Sequence, residues 1–251
     1  MTVDAPVLLV TGGGRGIGAS VCRMAASAGW RVVVNYASNA VAANALVAEI
    51  EAAGGTAVAV QADIGEEADL LALFARIDAT FGRLDGLVNN AGIVDVTARI
   101  DAMSRERLDR MFRVNITGSI RCAAEAVKRM STRNGGKGGV IVNVSSMAAL
   151  LGSGGQYVDY AASKGAIDTL TIGLAREVAL EGIRVNAVRP GVIDTDIHAS
   201  GGLPDRARDM AAVIPLQRPG TADEVAGAIL YFLSDSASYT TGAILNVSGG
   251  R

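Results

Sequence analysis

The chain has 251 residues, of which half are hydrophobic and 31 are glycine, a length and composition suited to one large α/β domain with closely packed helices. A net charge of −2 gives no basic footprint for nucleic acid, and the apolar runs are too short to span a membrane. One histidine and two distant cysteines cannot form a typical zinc site. The same scarcity of histidine argues against a Ser-His-Asp hydrolase.

The N-terminal stretch "MTVDAPVLLV" lacks a basic region and a small-residue cleavage site, so we expect no signal peptide. Cys22 and Cys122 are then expected as buried, reduced thiols in a cytoplasmic protein. The single histidine, His198, lies in a polar stretch bounded by glycines and is interpreted as a solvated loop residue.

Short apolar, β-branched runs alternate with longer amphipathic stretches along the whole chain. The pattern predicts strands at 7–11, 31–36, 56–61, 85–89, 138–144, 183–188 and 243–247. It predicts helices at 17–28, 39–53, 66–81, 103–113, 116–130, 158–181 and 222–233.

Continuous apolar strands separated by helices indicate a parallel sheet that is covered on both faces. No linker or charge run divides the chain, so residues 1–251 are predicted to form one doubly wound α/β domain of the Rossmann type with seven strands. Its ligand crevice should lie at the carboxyl ends of the strands at 7–11, 85–89, 138–144 and 183–188.

The first chemical motif is "VLLVTGGGRGIGAS", a strand followed by glycines and a helix. Backbone N–H groups at such a helix start can bind a pyrophosphate, which predicts a dinucleotide site. Two registers fit the glycines: Gly12, Gly16 and Gly18, or Gly14 and Gly16 followed by Ala19.

The end of the second strand indicates which dinucleotide is bound. Many dinucleotide folds place a carboxylate there to hold the ribose 2′-hydroxyl, but this chain has Asn35, Tyr36, Ala37 and Ser38. Arg15 in the glycine loop could reach the same pocket and bind a 2′-phosphate, although a solvated loop residue is the alternative interpretation. We therefore expect NADP in preference to NAD, although NAD remains possible.

Two further motifs end strands at the predicted crevice. "LVNNAG" places two amides and two small residues, Asn89, Asn90, Ala91 and Gly92, where a ligand can approach the backbone closely, although an Asx turn is the alternative interpretation. "VIVNVSS" places Ser145 and Ser146 where a hydroxyl can donate to a carbonyl oxygen, although a serine there can also serve a helix cap.

In "DYAASKGAID", Tyr160 stands four residues before Lys164, so a helix would put both on one face. A nearby ammonium favours the phenolate and is expected to lower the pKa of the tyrosine. Beside a dinucleotide loop and without a metal, such a tyrosine is a candidate acid/base for hydride transfer.

Together these motifs, with "VRPGVIDT", resemble the short-chain dehydrogenase/reductase family over essentially the whole chain. The sequence is similar to glucose-1-dehydrogenase-like and 3-oxoacyl-carrier-protein-reductase-like members. The resemblance implies a carbonyl/alcohol oxidoreductase in which the catalytic residues are Asn115, Ser146, Tyr160 and Lys164.

The resemblance also implies roles for individual residues. Tyr160 would be the acid/base, Lys164 would tune it and bind the nicotinamide ribose, and Asn115 would hold a water in a proton relay. Ser146 would bind the substrate oxygen, with Ser145 as the second candidate because "GSGGQYVDY" is one residue longer than in many ketoacyl reductases. The remaining implied contacts are Ile17 in the glycine loop, Asp63 and Ile64 at the adenine, and Pro190, Gly191, Ile193 and Thr195 at the nicotinamide.

The substrate is left open. Its determinants are expected in 147–157 and 193–216, which show no diagnostic charge cluster. A small sugar, polyol or other carbonyl compound is the first hypothesis, and a 3-oxoacyl carrier protein is the alternative. The family's ketoacyl reductases have a basic residue where this chain has Glu181, which would repel an acidic carrier protein. Arg129, Arg133 and Lys137 on the nearby turn could partly compensate this charge.

Two further expectations concern the whole molecule. A non-enzymatic NADP sensor is a remote alternative, because a sensor has no need of the Ser, Tyr, Lys and Asn set. The helices at 116–130 and 158–181 look apolar on more than one face, which, with the family's subunit pairing, predicts a homotetramer.

Overall fold

The computed structural model describes residues 5–195, 201–203 and 205–251, so His198 lies outside the described residues. One parallel sheet runs through the molecule in the order β3-β2-β1-β4-β5-β6-β7. Every strand bound agrees with the predicted one to within two residues. The strands are β1 (Val7–Val10), β2 (Arg31–Tyr36), β3 (Thr56–Gln61), β4 (Gly86–Asn89), β5 (Gly139–Val144), β6 (Ile183–Pro190) and β7 (Ile244–Val247).

Helices connect the strands as the alternation predicts. They are α1 (Gly16–Ser27), α2 (Ala40–Ala52), α3 (Glu67–Phe81), α4 (Arg105–Phe112), α5 (Ser119–Met130), α6 (Ala148–Leu151), α7 (Val158–Val178), α8 (Arg206–Asp209) and α9 (Ala222–Leu233). The short helices α6 and α8 are not evident in the sequence pattern. Each helix in the described ranges is too short or too polar to traverse a lipid bilayer.

The alternation of side chains along β1 explains how both faces are covered. Leu8 and Val10 point to one side and pack with α1, α2 and α9, whereas Val7 and Leu9 point to the other and pack with α3, α5 and α7. All four side chains are fully buried. A strand with two buried faces must be apolar at consecutive positions, which is the pattern that the sequence shows.

The strand order reverses at β1, which has β2 on one side and β4 on the other. Connections leave β1 and β4 in opposite directions at this point, so a crevice opens at the carboxyl ends of the strands. The glycine loop, "NNAG" and "VNVSS" all follow strands that end at this edge. The fold therefore brings together the motifs that the sequence separates by more than a hundred residues.

Candidate active site

The loop between β1 and α1 turns at two glycines with left-handed backbone. Gly12 has φ of +60° and Gly16 has φ of +51°, a region that other residues rarely adopt. A Cβ on Gly18 would lie 2.4 Å from the Gly12 carbonyl oxygen and 2.6 Å from Nδ2 of Asn90. Gly14 meets only ordinary contacts at 3.5 Å. The structure therefore favours the register of Gly12, Gly16 and Gly18, because these are the positions that require glycine.

The N-terminus of α1 is open to an anion. Its N-cap residue is Arg15, whose side chain makes no capping hydrogen bond, and its first turn carries no acidic residue. The backbone N–H groups of that turn and the positive end of the helix dipole are thus available to a ligand. This geometry fits the pyrophosphate of a dinucleotide.

A cleft of about 500 Å³ runs from this helix start across the carboxyl ends of the central strands. Most of the predicted cofactor residues line it. They are Gly12, Gly14, Arg15, Gly16, Ile17, Asn35, Tyr36, Ala37, Ser38, Asp63, Ile64, Asn90, Ala91, Gly92 and Thr195. We call this cavity the dinucleotide cleft.

The side chain of Asn35 supports the glycine loop instead of facing a ligand. Its Oδ1 accepts a hydrogen bond from the Gly12 N–H at 3.2 Å, and its Nδ2 donates to the carbonyl oxygens of Val60 and Ala62 at 3.3 and 3.0 Å. The residue is 1% exposed. Asn35, which was predicted to bind the cofactor, therefore supports the glycine loop, because the polar atoms of its amide are already hydrogen-bonded to the protein.

Buried polar side chains hold the strand ends in register, and three of them, Thr11, Asn143 and Thr171, were not singled out from the sequence. The Thr11 hydroxyl accepts hydrogen bonds from two successive backbone N–H groups starting at Asn90, each at 3.0 Å. Asn89 donates to Asn143 at 3.0 Å, and Asn143 donates to Thr171 at 2.9 Å, which links β4 and β5 to α7. The asparagines inside apolar strands were the available signal, because buried amides need partners.

A second cavity of about 190 Å³ adjoins the cleft. We call it the substrate pocket. Ile17, Asn90, Gly92 and Thr195 line both cavities, so the two are continuous. The predicted residues in its wall are Ser145, Ser146, Tyr160, Lys164, Pro190, Gly191, Ile193 and Thr195.

The two serines after β5 have different environments. The Ser145 hydroxyl is buried and donates to the carbonyl oxygen of Lys164 at 3.2 Å, so it ties β5 to α7. The Ser146 hydroxyl accepts from the Ala148 N–H at 3.1 Å and also hydrogen-bonds the phenol of Tyr160. The geometry therefore favours Ser146 as the residue that faces a substrate oxygen.

The electrostatics of the Tyr160–Lys164 pair differ from the expectation. Burial raises the pKa of Tyr160, and only the hydrogen bond with Ser146 acts in the other direction. Burial also lowers the pKa of Lys164 to about 8, which the charge of Asp168 partly opposes. The Lys164 ammonium lies 5.6 Å from the centroid of the Tyr160 ring and donates to the Val144 carbonyl oxygen at 2.8 Å. The predicted lowering of the tyrosine pKa is thus wrong for this structure, because desolvation of the phenolate dominates.

Asn115 lies in a π-helical segment, Arg113–Gly118, that joins α4 to α5. Its Oδ1 accepts from the Ile93 N–H at 2.8 Å, and its Nδ2 donates to the Ile93 carbonyl and to Ser163 at 3.0 and 3.1 Å. A Cβ on Gly92 would lie 3.5 Å from both Asn115 Oδ1 and Lys164 Nζ. Asn115 and Lys164 therefore both lie next to Gly92 of "NNAG". Insertions of this kind into a helix occur frequently at functional sites.

An ion pair that the sequence did not reveal anchors the start of α7. Arg107 on α4 donates through Nε and Nη2 to the fully buried carboxylate of Asp159, at 2.7 and 3.1 Å. Asp159 immediately precedes Tyr160 in the chain. A bidentate pair of this kind fixes the helix end that carries the phenol.

Glu181 is buried and paired, in line with the compensation by nearby arginines that the sequence allowed. The residue is 7% exposed, accepts a hydrogen bond from Ser131 at 2.5 Å and forms an ion pair with Arg133 at 3.0 Å. Its charge is therefore compensated inside the molecule. Arg129 is likewise engaged, with Asp78 and Glu125.

Comparisons with known proteins agree with this geometry. A family model described as enoyl-(acyl carrier protein) reductase, which belongs to the short-chain dehydrogenases/reductases, matches residues 12–251. The uncharacterized oxidoreductase YgfF of Escherichia coli is 52% identical over 98% of this chain and 99% of its own length. A 3-oxoacyl-[acyl-carrier-protein] reductase of Synechocystis is 40% identical over 99% of this chain and 97% of its own.

A solved structure extends the agreement to three dimensions. A short-chain dehydrogenase/reductase of Serratia marcescens, solved as a double mutant, has a TM-score of 0.88 and 34% identity, with 100% of this chain and 99% of that chain covered. Family match, relatives and fold all cover essentially the entire sequence. The chain belongs to the short-chain dehydrogenase/reductase family and is an oxidoreductase that acts on carbonyl or CH–OH groups with a nicotinamide cofactor.

Proposed function

We propose that this enzyme prefers NADP(H) and interconverts a carbonyl and a secondary alcohol on a small substrate. The observation that carries the proposal is the position of Tyr160. Its phenol is hydrogen-bonded to Ser146 in a small pocket that opens directly into the dinucleotide cleft. A proton donor and a cofactor cleft then meet at one place, as carbonyl reduction requires.

The residues of the cleft fit a dinucleotide. The uncapped start of α1 and the glycine loop would hold the pyrophosphate, and the lining residues around Asp63 and Ile64 would hold the adenine. The nicotinamide would lie toward Pro190, Gly191, Ile193 and Thr195. When bound, the cofactor supplies or accepts the hydride.

The chain's own groups then handle the proton. The raised pKa of Tyr160 keeps the phenol protonated at neutral pH, so it can donate to the oxygen of a carbonyl as that oxygen gains negative charge. Ser146 provides a second hydrogen-bond donor to the same oxygen. Lys164 contributes a positive charge beside the tyrosine ring, and Asn115, which lies next to Gly92 as Lys164 does, would hold a water in a proton relay to Lys164.

The preference for NADP(H) is supported by the charge of the cleft. Arg15 is exposed at the cleft wall and has no carboxylate partner among the described residues. The segment Asn35–Ser38 offers no carboxylate that would repel a 2′-phosphate. A guanidinium and an absent acid together favour the phosphorylated cofactor.

The test is turnover against a broad panel of carbonyls and alcohols, with NADPH absorbance as the readout. We expect at least one small carbonyl to be reduced by the wild type, and we expect this activity to disappear in Tyr160→Phe. Turnover that survives in the phenylalanine variant would remove the proposed acid. The wild-type kcat/KM should be higher with NADPH than with NADH, and equal values would contradict the cofactor preference.

Reduction of a 3-oxoacyl group on acyl carrier protein is the second candidate, and the 40% identity to the Synechocystis reductase favours it. The compensated charge of Glu181 removes one argument against it. The two candidates separate when kcat/KM is measured for a 3-oxoacyl group on carrier protein and on a short thioester mimic. A large preference for the carrier-borne group that collapses with added salt would establish the second candidate and exclude the first.

We also propose a cytoplasmic homotetramer. Ile120 on α5 and Ile172 on α7 are 41% and 40% exposed, so both helices carry apolar side chains that the isolated chain leaves uncovered. Burial of such side chains between subunits would be favourable. Light scattering should give four times the chain mass, and a monomer at micromolar concentration would contradict this assembly.

A further inference from the structure

The wall of the substrate pocket has an uneven charge. Three cationic side chains line it, namely Lys164, Arg206 and Arg251. Among the described residues of this wall there is no aspartate or glutamate. Lys164 already has a place in the proton chemistry, so the two arginines are the charges that the proposed reaction does not use.

Arg206 is held in a defined orientation. It is the first residue of α8 and is half-buried. Its guanidinium carbon lies 5.3 Å from the centroid of the Tyr157 ring, and its Nη2 donates to Oε1 of Gln156 at 2.9 Å. Tyr157 is itself buried at the start of α7, so the ring provides a fixed support for the planar guanidinium.

No described residue compensates the charge of Arg206. Its hydrogen-bond partner, Gln156, is neutral, and it has no carboxylate partner in the part of the chain that the structure describes. Its neighbour Arg208 is different, because that residue is 83% exposed and pairs with Asp205 at 3.2 Å. A partly desolvated cation without a counter-ion costs free energy, whereas an anionic ligand would supply the missing charge.

The position of Arg206 relates it to the reacting group. Tyr157 is the N-cap residue of α7, Tyr160 lies in the first turn of that helix, and both line the substrate pocket of about 190 Å³. Arg206 stacks on the first tyrosine, and the second is the proposed acid. An anionic group at Arg206 would therefore lie within the length of a small molecule from a carbonyl at Tyr160.

We propose that the substrate is a small oxo acid or hydroxy acid whose carboxylate binds Arg206. This inference rests on the proposed carbonyl/alcohol function and adds the chemical class of the substrate. The planar guanidinium matches a carboxylate, and beside the Nη2 bond to Gln156 its Nε and Nη1 have no hydrogen-bond acceptor among the described residues. Arg206 is assigned the contact in preference to Arg251 because the Tyr157 ring fixes its orientation.

The test compares substrates that differ only in charge. Short 2-oxo and 4-oxo carboxylates and their methyl esters are assayed with saturating NADPH, using wild type, Arg206→Gln, Arg206→Lys and the control Arg208→Gln. The wild type should prefer the acid by at least about tenfold in kcat/KM, the size of one charge-assisted hydrogen bond. Arg206→Gln should abolish the preference by raising KM for the acid, with ester rates within about threefold of wild type.

The two remaining variants sharpen the result. Arg206→Lys should keep part of the preference, since it retains the charge without the planar fork, and Arg208→Gln should behave as wild type. A wild-type preference for the esters would overturn the proposal. An equal loss of kcat/KM for acids and esters in Arg206→Gln would also overturn it, because such a loss is expected of a residue with a purely structural role.

A failure of the proposed carbonyl/alcohol function gives a different result, because neither the acids nor the esters would then be turned over by the wild type or any variant. Calorimetric titration of the wild type and Arg206→Gln with butyrate and with butyramide then decides the inference, since it requires no turnover. Binding of butyrate that depends on Arg206 supports it, and butyrate binding that is absent or unchanged by the substitution contradicts it.

Discussion

The dinucleotide cleft and the substrate pocket are built by different means. The cleft is formed by strand ends, glycine backbone and a helix start, where geometry admits few residue types. The pocket shares Ile17, Asn90, Gly92 and Thr195 with the cleft but is lined mainly by the segments after β5 and β6 and by Arg251, positions that many residue types could occupy. The class of cofactor can therefore be predicted from the sequence, whereas the class of substrate has to be inferred from the side chains that the fold brings together in the pocket.

The largest effect is expected where the two cavities join, in Lys164→Met. Turnover should fall below that of any other single variant and NADPH affinity should also fall, because the ammonium serves both the tyrosine and the proposed ribose contact. Stopped-flow turnover and NADPH fluorescence titration measure the two losses. Intact NADPH binding would restrict Lys164 to the substrate side.

The same variant should stabilise the fold. The folded pKa of Lys164 is about 8 against an ordinary 10.5, so between these pH values the unfolded chain binds the extra proton. Burial of the charged lysine therefore costs about 3 kcal/mol below pH 8, a cost that is relieved as pH rises toward 10.5. After loss of the bond to Val144, worth about 1 kcal/mol, Lys164→Met should gain about 2 kcal/mol in urea unfolding at pH 7, and less at pH 10. Lower stability at pH 7 would contradict the direction.

Tyr160→Phe tests the substrate side alone. The ring remains and the transferable proton is lost, so kcat should fall about 10²–10⁴-fold. NADPH affinity should stay within about twofold of wild type. Near-native turnover would remove Tyr160 from the mechanism, and a large loss of NADPH affinity would show that the two cavities are less separable than the structure indicates.

The serine pair separates chemistry from structure at adjacent positions. Ser146→Ala should lower kcat about 10²–10³-fold with little change in stability, because its hydroxyl faces the pocket. Ser145→Ala should lower the free energy of unfolding by about 1 kcal/mol, because the Lys164 carbonyl loses a buried donor. Parallel kinetics and urea unfolding check both, and the reverse pattern would reinstate Ser145 as the substrate-binding serine.

A smaller effect is expected in the cleft from Ala37→Asp. A carboxylate there repels a 2′-phosphate and offers an acceptor to a 2′-hydroxyl, so the ratio of kcat/KM for NADPH to that for NADH should fall about 10–100-fold. Ala37→Asn is the matched control, since it has the same shape without the charge. An unchanged ratio in the aspartate variant would place the 2′-phosphate elsewhere.

The sequence by itself determined the strands, their burial on two faces and the cofactor loop. Consecutive apolar residues are needed wherever a strand is covered on both sides, as at Val7–Val10. Glycine is needed wherever backbone turns left-handed or two segments touch, as at Gly12 and Gly18. These requirements are local, so they leave a pattern that can be read along the chain.

The tertiary structure alone decided which polar groups are available to a ligand. Nothing local shows that the Asn35 amide is hydrogen-bonded to Gly12 and Ala62, or that Glu181 is buried and accepts a hydrogen bond from Ser131. The pKa of Tyr160 likewise follows from its burial, which a spacing of four residues to Lys164 does not reveal. Availability, desolvation and charge balance depend on residues far apart in the chain, and only the folded arrangement brings them within hydrogen-bonding distance.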